Sequence, residues 1–424
     1  MKNKGTALVW LSVLMTFNFF IMAKFSSGNE VVWNWLTFSQ LISLIGTTLL
    51  CLSFILSTRN KWIENLFGGL DKVYKVHHIS GGLSFIMLLH HPLFLAVNVL
   101  PRTDLTIKYF WFSNLLPYNY GIIALYIMLV LLLLTFVINL PYDLWLKTHE
   151  FMGTALIFAA LHIFTISSDV SRYMPLRYWM IFWLSLAIMA VVYMRFLYRL
   201  IGPKYKYVVE KVGVIEDVVE VWLKPITKSM PYYAGQFAFS VFEKLGKEAH
   251  PFSISSNGFD GRVRLDMKIL GDYTLKAKQL KEGDIATLYG PYGKFFESLL
   301  GKKDLVWIAG GIGITPFIGM IDLVKKWNRQ NVELIYCAKS KTELIFDQEI
   351  KDLIKESEQV KYYRHCSADK GRITANSLLE TVGSFGNKKF MLCGPIEMME
   401  SLTEQLAEMG VKRKNIIFED FNFK

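Results

Sequence analysis

Residues 76–92 read VHHISGGLSFIMLLHHP, and this stretch decides the fold: two histidine doublets, His77-His78 and His90-His91, bracket an apolar run. Ligand-capable side chains are costly in a bilayer and mark function there by default. His77 and His91 are fourteen residues apart. At ~100° and ~1.5 Å per residue they fall within about 40° of one helix face, ~21 Å apart along the axis.

Working outward, six segments approach the ~20 apolar residues that span a bilayer: 6–24, 35–57, 78–100, 119–140, 150–168 and 177–197. The first, preceded by Lys2 and Lys4, has a poor cleavage site in Ala23-Lys24-Phe25 and reads as a retained helix. Six of the eight histidines, His77, His78, His90, His91, His149 and His162, fall at the third and fifth segments. His149 and His162 are thirteen apart, which gives a similar rise but an ideal offset of about 140°, so helix distortion or long side-chain reach is required. Both segments run in the same direction. Inner and outer ends therefore pair as His77 with His149 and His91 with His162, a geometry suited to two stacked haems. A polar helix–helix contact is the competing reading of each histidine. A single metal site is excluded by the rise between the pairs.

The apolar fraction of 52% is high for a soluble protein, and the long apolar runs are confined to residues 1–200. Basic residues in the short loops gather on one side: Lys2, Lys4, Arg59, Lys61, Lys72, Lys75, Lys147, Arg195, Arg199, Lys204 and Lys206, against Lys24, Arg102, Lys108, Arg172 and Arg177. The positive-inside rule then predicts a multi-pass protein of the cell membrane with both termini cytoplasmic. The net charge of +11 is interleaved with Asp and Glu, without a basic stripe, so nucleic-acid binding is not expected. Four cysteines without framework or metal spacing fit a reducing compartment for the second half.

Residues 205–242 alternate short apolar runs with turns, as in Val218-Val219-Glu220-Val221-Trp222, and predict antiparallel strands of a small barrel. After about residue 303 the pattern becomes strand, glycine turn, helix: Asp304 to Ala309, then Gly310-Gly311-Ile312-Gly313-Ile314-Thr315-Pro316, then Phe317 to Trp327. Val332 to Cys337 and Lys389 to Cys393 read as further parallel strands. Residues without a Cβ let backbone approach a pyrophosphate, whose charge meets N–H groups at the helix start. A tight strand–helix turn with no ligand is the alternative.

The sequence resembles the ferric reductase and NADPH oxidase superfamily, whose cytoplasmic part is similar to ferredoxin-NADP reductase. The resemblance rests on ordered motifs: His250-Pro251-Phe252-Ser253-Ile254-Ser255-Ser256, Lys268-Ile269-Leu270-Gly271-Asp272-Tyr273-Thr274, Gly290-Pro291-Tyr292-Gly293, the glycine turn, Cys393-Gly394-Pro395, and Phe418-Glu419-Asp420-Phe421. The histidine pairs match the family's third and fifth helices, so the likeness covers essentially the whole chain. Its length looks most like the minimal Gram-positive bacterial NADPH oxidases.

The resemblance implies three parts: a six-helix haem domain (1–200), an FAD-binding antiparallel β-barrel (201–303) and an NADPH-binding α/β domain (304–424). It implies that His250, Pro251, Phe252, Ser253 and Ile254 lie against the flavin and its phosphates, with Gly271 and Thr274 at the FAD pyrophosphate and Lys268 as a cationic partner. Gly310, Gly311, Gly313, Thr315 and Pro316, with Gly394 and Pro395, would cradle the nicotinamide nucleotide. Cys393 matches a cysteine near the reacting nicotinamide carbon, with a small core residue as the bland reading. Phe421 matches the aromatic that covers the flavin, with Phe423 as rival. Lys339, with Lys341, could meet the 2′-phosphate that distinguishes NADPH from NADH; solvated lysines are the alternative, so NADH stays open as a second donor.

The implied route runs from NADPH to FAD, then through two bis-histidine b-type haems to dioxygen, giving superoxide. Alternatives are a transmembrane ferric or cupric reductase, or a haem-anchored donor to an extracytoplasmic protein. Two departures stand out. Some relatives carry a further histidine where Leu95 stands, and some an aromatic near Ala155. No EF-hand loop, long basic tail or proline-rich docking segment is evident, so no obligatory cytosolic activator is expected.

Overall fold

The computed structural model describes residues 4–26, 31–138 and 140–418. Met1 aside, the chain divides into two compact units, Lys2–Leu200 and Ile201–Lys424.

The first unit is helical. Among the described residues five helices are long and apolar enough to cross a membrane: α1 (Lys4–Ser26), α2 (Trp35–Leu56), α3 (Leu70–Val99), α4 (Leu116–Phe136) and, last in the unit, Met174–Ile201. Large apolar side chains stay exposed on them, among them Trp10, Leu14, Ile86 and Phe136, as lipid-facing positions require. The fifth expected span, 150–168, is shorter than predicted. In its place stand α5 (Tyr142–Glu150) and α6 (Met152–Thr165), and α6 alone falls short of the ~20 residues of a full span. Phe151, with φ −69° and ψ −8°, separates them. The final helix, Met174–Ile201, is α7. Gly153 of α6 faces it closely, since a Cβ there would lie 2.9 Å from Val191 Cγ1. Hydroxyls tie the bundle from inside: Trp179 Nε1 donates to Thr16 Oγ1 at 2.8 Å, and Thr16 and Thr48 bond at 3.0 Å.

The second unit opens with an antiparallel sheet. Its strands are β1 (Lys204–Ile215), β2 (Val218–Pro225), β3 (Phe237–Phe242), β4 (His250–Ser253), β5 (Val263–Lys268) and β6 (Ile285–Tyr292), in the order β4-β3-β6-β1-β2-β5. Tyr207, Val209, Val221, Leu223, Leu265 and Leu288 form its buried core. A parallel sheet follows, in the order β11-β10-β7-β8-β9, from β7 (Leu305–Gly310), β8 (Val332–Ala338), β9 (Val360–Cys366), β10 (Lys389–Cys393) and β11 (Ile416–Phe418). After β7 the chain winds first to β8 and β9, then returns to β10 and β11 on the other side. The topological switch therefore lies between β7 and β10, where open α/β sheets bind their ligands.

Helix α8 (Thr315–Trp327) locks the two sheets together. A Cβ at Gly319 would lie 2.6 Å from Ser256 O, so the barrel loop rests directly on helix backbone. Beside it the buried Arg264 guanidinium bonds Glu220 at 2.8 Å and Asp266 at 3.1 Å on the barrel. It also makes two bonds to Glu349, one of them 3.0 Å, on α9 (Asp347–Ile354).

Candidate functional site

The first unit builds a ladder of imidazoles with two rungs. The His77 and His149 ring centres are 6.3 Å apart, and those of His91 and His162 are 6.4 Å apart. His77 and His91 both lie on α3, whereas His149 lies in the last turn of α5 and His162 in α6. The neighbouring histidines behave otherwise. His90 bonds its own helix at the Ile86 carbonyl, 2.7 Å away, and His78 is exposed beside the His77 ring.

Both rungs suit one iron held between two imidazoles. A metal–nitrogen bond of ~2 Å on each side, with ~1.1 Å from nitrogen to ring centre, puts the centres roughly 6 Å apart. No cluster of three or more His, Cys, Asp or Glu able to hold a metal occurs among the described residues. A pair alone suits a porphyrin iron, whose other ligands the macrocycle supplies.

Three of the four rings are anchored through Nδ1. That of His77 lies 2.9 Å from the Ser53 carbonyl, that of His91 3.0 Å from the Ser39 carbonyl, and that of His162 2.7 Å from the Pro117 carbonyl. A carbonyl only accepts, so Nδ1 carries the proton and Nε2 keeps its lone pair for a metal. Gly121 makes room for His162, because a Cβ there would lie 2.9 Å from the ring Nδ1. His149 stacks on Trp145, and its buried Nδ1 has no hydrogen-bond partner among the described residues. Leu95 lies on α3 one turn past His91, and Ala155 is buried against Leu125 and Met128.

In the second unit the expected nucleotide residues converge on the switch point. Ala309 of β7 pairs with Cys393 of β10, and the glycine turn leaves β7 directly above it. A Cβ at Gly313 would lie 2.5 Å from the Cys393 carbonyl carbon and 2.7 Å from Gly394 N. Gly394, at φ +157°, would bring its own Cβ within 2.9 Å of Gly310 Cα. Backbone thus meets backbone on both sides, which only glycine permits. Thr315 and Pro316 begin α8, with Thr315 Oγ1 donating to the Ile312 carbonyl at 3.0 Å. Pro395 follows Gly394 at the start of the next helix, and Cys393 is buried in the core. Lys339 and Lys341 follow the end of β8.

The His250 to Ser253 segment forms β4, and Ile254 is fully buried behind it. The Tyr273 ring stacks on His250 at 3.7 Å and lies parallel to Phe252 at 6.4 Å. Thr274 Oγ1 accepts from Gly271 N at 3.2 Å and so closes the Gly271 turn. Lys268 pairs with Asp217 at 3.3 Å. Phe421 and Phe423 lie outside the described residues.

Sequence reasoning missed Ser39, Ser53, Gly121 and Tyr273. A signal for the serines existed: they too are fourteen residues apart, matching His77 and His91.

These two sites define a membrane-spanning electron-transfer flavoprotein. Residues 42–160 match the ferric reductase like transmembrane component, 204–294 an FAD-binding domain and 307–404 an oxidoreductase NAD-binding domain. The chain has the NADPH oxidase and ferric reductase-like architecture, in which a transmembrane component is joined to an FAD- and NAD-binding oxidoreductase module.

Among curated relatives, a flavohemoprotein of Bacillus cereus is 27% identical over 202 residues, 45% of this chain and 49% of the relative. A probable dihydroorotate dehydrogenase B electron transfer subunit of Methanocaldococcus jannaschii is 30% identical over 205 residues, 47% of this chain and 72% of the relative. The chain spans about half the length of the flavohemoproteins it matches. Among solved structures, a Malassezia yamatoensis flavohemoglobin with bound FAD and heme is alike in fold, with TM-score 0.53 at 18% identity, covering 95% of this chain and 98% of that one.

Proposed function

We propose that the protein is a multi-pass transmembrane oxidase that passes electrons from NADPH through FAD and two bis-histidine b-type haems to dioxygen, releasing superoxide. The observation that carries the reading is the pair of imidazole rungs, 6.3 and 6.4 Å between ring centres, on helices that supply one ligand each per rung. When bound, FAD accepts a two-electron hydride and releases single electrons, which haem iron can carry.

The chain's own residues prepare each transfer. Backbone N–H groups of the turn at Gly310, Gly311 and Gly313, where α8 begins, meet the nucleotide phosphates. Gly313 and Cys393, brought together by this backbone approach, would hold the nicotinamide ring. Lys339, the residue after β8, would offer a cation to the 2′-phosphate. On the flavin side, Phe252 presents a ring and Ser253 a hydroxyl, while Gly271 and Thr274 shape a turn for the pyrophosphate. His77 with His149, and His91 with His162, would each hold one haem iron, and the two haems would supply one-electron carriers between the flavin and the acceptor. The excess of loop lysines and arginines on one side supports cytoplasmic termini and an acceptor on the opposite face. Three parts, 1–200, 201–303 and 304–424, correspond to these tasks.

A reduced-minus-oxidised spectrum of the purified chain, with haem and flavin counted, tests the relay: two low-spin haems and one flavin per chain are expected. Cytochrome c reduction sensitive to superoxide dismutase tests the acceptor. A dismutase-insensitive signal with rapid ferric-chelate reduction under argon would move the assignment to a metal reductase.

A further inference from the structure

Helix α2 carries two serines whose spacing copies that of the histidines on α3. Ser39 Oγ lies 2.7 Å from His91 Nδ1 and donates to the His91 carbonyl at 2.8 Å. Ser53 Oγ lies 2.9 Å from His77 Nδ1 and 3.4 Å from the His77 carbonyl. The backbone carbonyl of each serine also accepts from the same Nδ1, at 3.0 and 2.9 Å. A serine hydroxyl has one proton. With that proton on the histidine carbonyl, Oγ must accept from Nδ1–H, which is therefore shared between two oxygens of one residue. Both serines are buried, Ser39 at 0% exposure and Ser53 at 6%, so no water competes for these bonds. The partner imidazoles differ: His162 uses a single carbonyl, and His149 has no Nδ1 partner among the described residues.

We propose that Ser39 and Ser53 are matched positioning residues, each holding one α3 imidazole in a single tautomer and orientation and raising its electron donation to the iron it binds. The proposal rests on the haem assignment above. A hydrogen bond from Nδ1–H to an acceptor makes Nε2 more basic, and a more basic ligand favours the ferric state. Ser39 therefore lowers the potential of the haem bound by His91, and Ser53 that of the haem bound by His77. A simple clip between α2 and α3 would tie the helices without this electronic effect.

The test is an anaerobic redox titration of the full chain, with electron paramagnetic resonance of the oxidised haems, for Ser39→Ala, Ser53→Ala and the Ser39→Thr and Ser53→Thr variants. Ser39→Ala is expected to raise the potential of one haem by up to about tenfold in its reduction equilibrium, ~59 mV for one electron. Ser53→Ala should raise the other, and each threonine should restore its own rung. Wild-type protein binding fewer than two haems would defeat the haem assignment itself. Two haems with potentials and resonance positions unmoved by either alanine would defeat the positioning role alone, as would both haems shifting equally in each variant. Should an alanine variant not retain haem, its threonine counterpart decides: an unshifted, fully loaded haem supports the role, and a potential displaced despite the hydroxyl overturns it.

Discussion

Replacing Gly313 with alanine tests the claim that hydride delivery depends on backbone contact at the switch point. The added Cβ would sit 2.5 Å from the Cys393 carbonyl carbon and 2.7 Å from Gly394 N. Both neighbours are backbone, so no side chain can rotate away. Reaching an ordinary contact of 3.4 Å with that carbon requires the turn and the Cys393-Gly394 peptide to separate by about 0.9 Å, and the Cys393 carbonyl oxygen, closer still, demands more. Over-packing of this kind costs ~1–3 kcal/mol, or about 2–4 °C per kcal/mol in a module of this size. The larger effect is on chemistry, since a misplacement of ~1 Å costs on the order of 10²-fold in a positioned reaction. Anaerobic stopped-flow measurement of flavin bleaching by NADPH reads that step alone, and a 30- to 100-fold slowing with full FAD content is expected, in the same ~10² range. Gly310→Ala is the graded control, because its Cβ would meet the flexible Met398 methyl at 2.9 Å as well as Pro395 Cδ at 2.8 Å. A Gly313→Ala protein that bleaches at the original rate with an unchanged melting temperature would refute the reasoning.

Substituting His91 or His162 with alanine should remove one of two haems from the difference spectrum while leaving flavin reduction by NADPH intact; loss on His90→Ala instead would overturn the ligand assignment. Gly121→Ala places a Cβ 2.9 Å from His162 Nδ1 and should perturb one haem in the resonance spectrum with the other unchanged, so that identical spectra would count against this packing. Burial pushes the Asp266 carboxyl up to about 6, and the Arg264 guanidinium opposes that rise. A raised folded value stabilises the protonated side: the contribution is full below the ordinary carboxylate range and falls by roughly 3 kcal/mol as pH rises through 6. Asp266→Asn should flatten the dependence of stability on pH between 4 and 6 in thermal melts, and an unaltered slope would contradict it.

Most of the second unit was legible because its signals are local. Lys389–Cys393 is the strand the sequence predicts, and β7, β8 and α8 differ from expectation by a residue or two at their ends. Strands β9 and β11 were not read. Val360–Cys366 carries Lys361, Arg364 and His365 among its apolar positions, and Ile416–Phe418 is three residues long. Arg264 was equally hidden, because its partners Glu220 and Glu349 lie far away in the chain and meet it only when the two sheets pack. In the first unit the histidines were visible as polar residues in apolar surroundings, but their supports were not. Serine and glycine are ordinary in membrane helices, and nothing local distinguishes Ser39, Ser53 or Gly121 until α2 and α4 stand beside the rings.

The shortened fifth segment and the histidine spacing have one physical cause. On an unbroken helix, thirteen residues would leave His149 and His162 about 140° apart, with one of them turned away from α3. On α3 the fourteen-residue interval needs no such adjustment, and that helix runs uninterrupted from Leu70 to Val99. The correction occurs where the mismatch arises. Helix α5 ends at Glu150, immediately after His149, and α6 resumes at Met152 with Phe151 between them at ψ −8°. Breaking the helix there lets both imidazoles approach the same neighbouring face, at 6.3 and 6.4 Å between ring centres. A continuous span of ordinary length would satisfy the bilayer better and the ladder worse. That the chain gives up helical continuity beside His149, and nowhere between His77 and His91, indicates that the geometry of the two rungs, more than the demand for a full-length span, shapes this part of the fold.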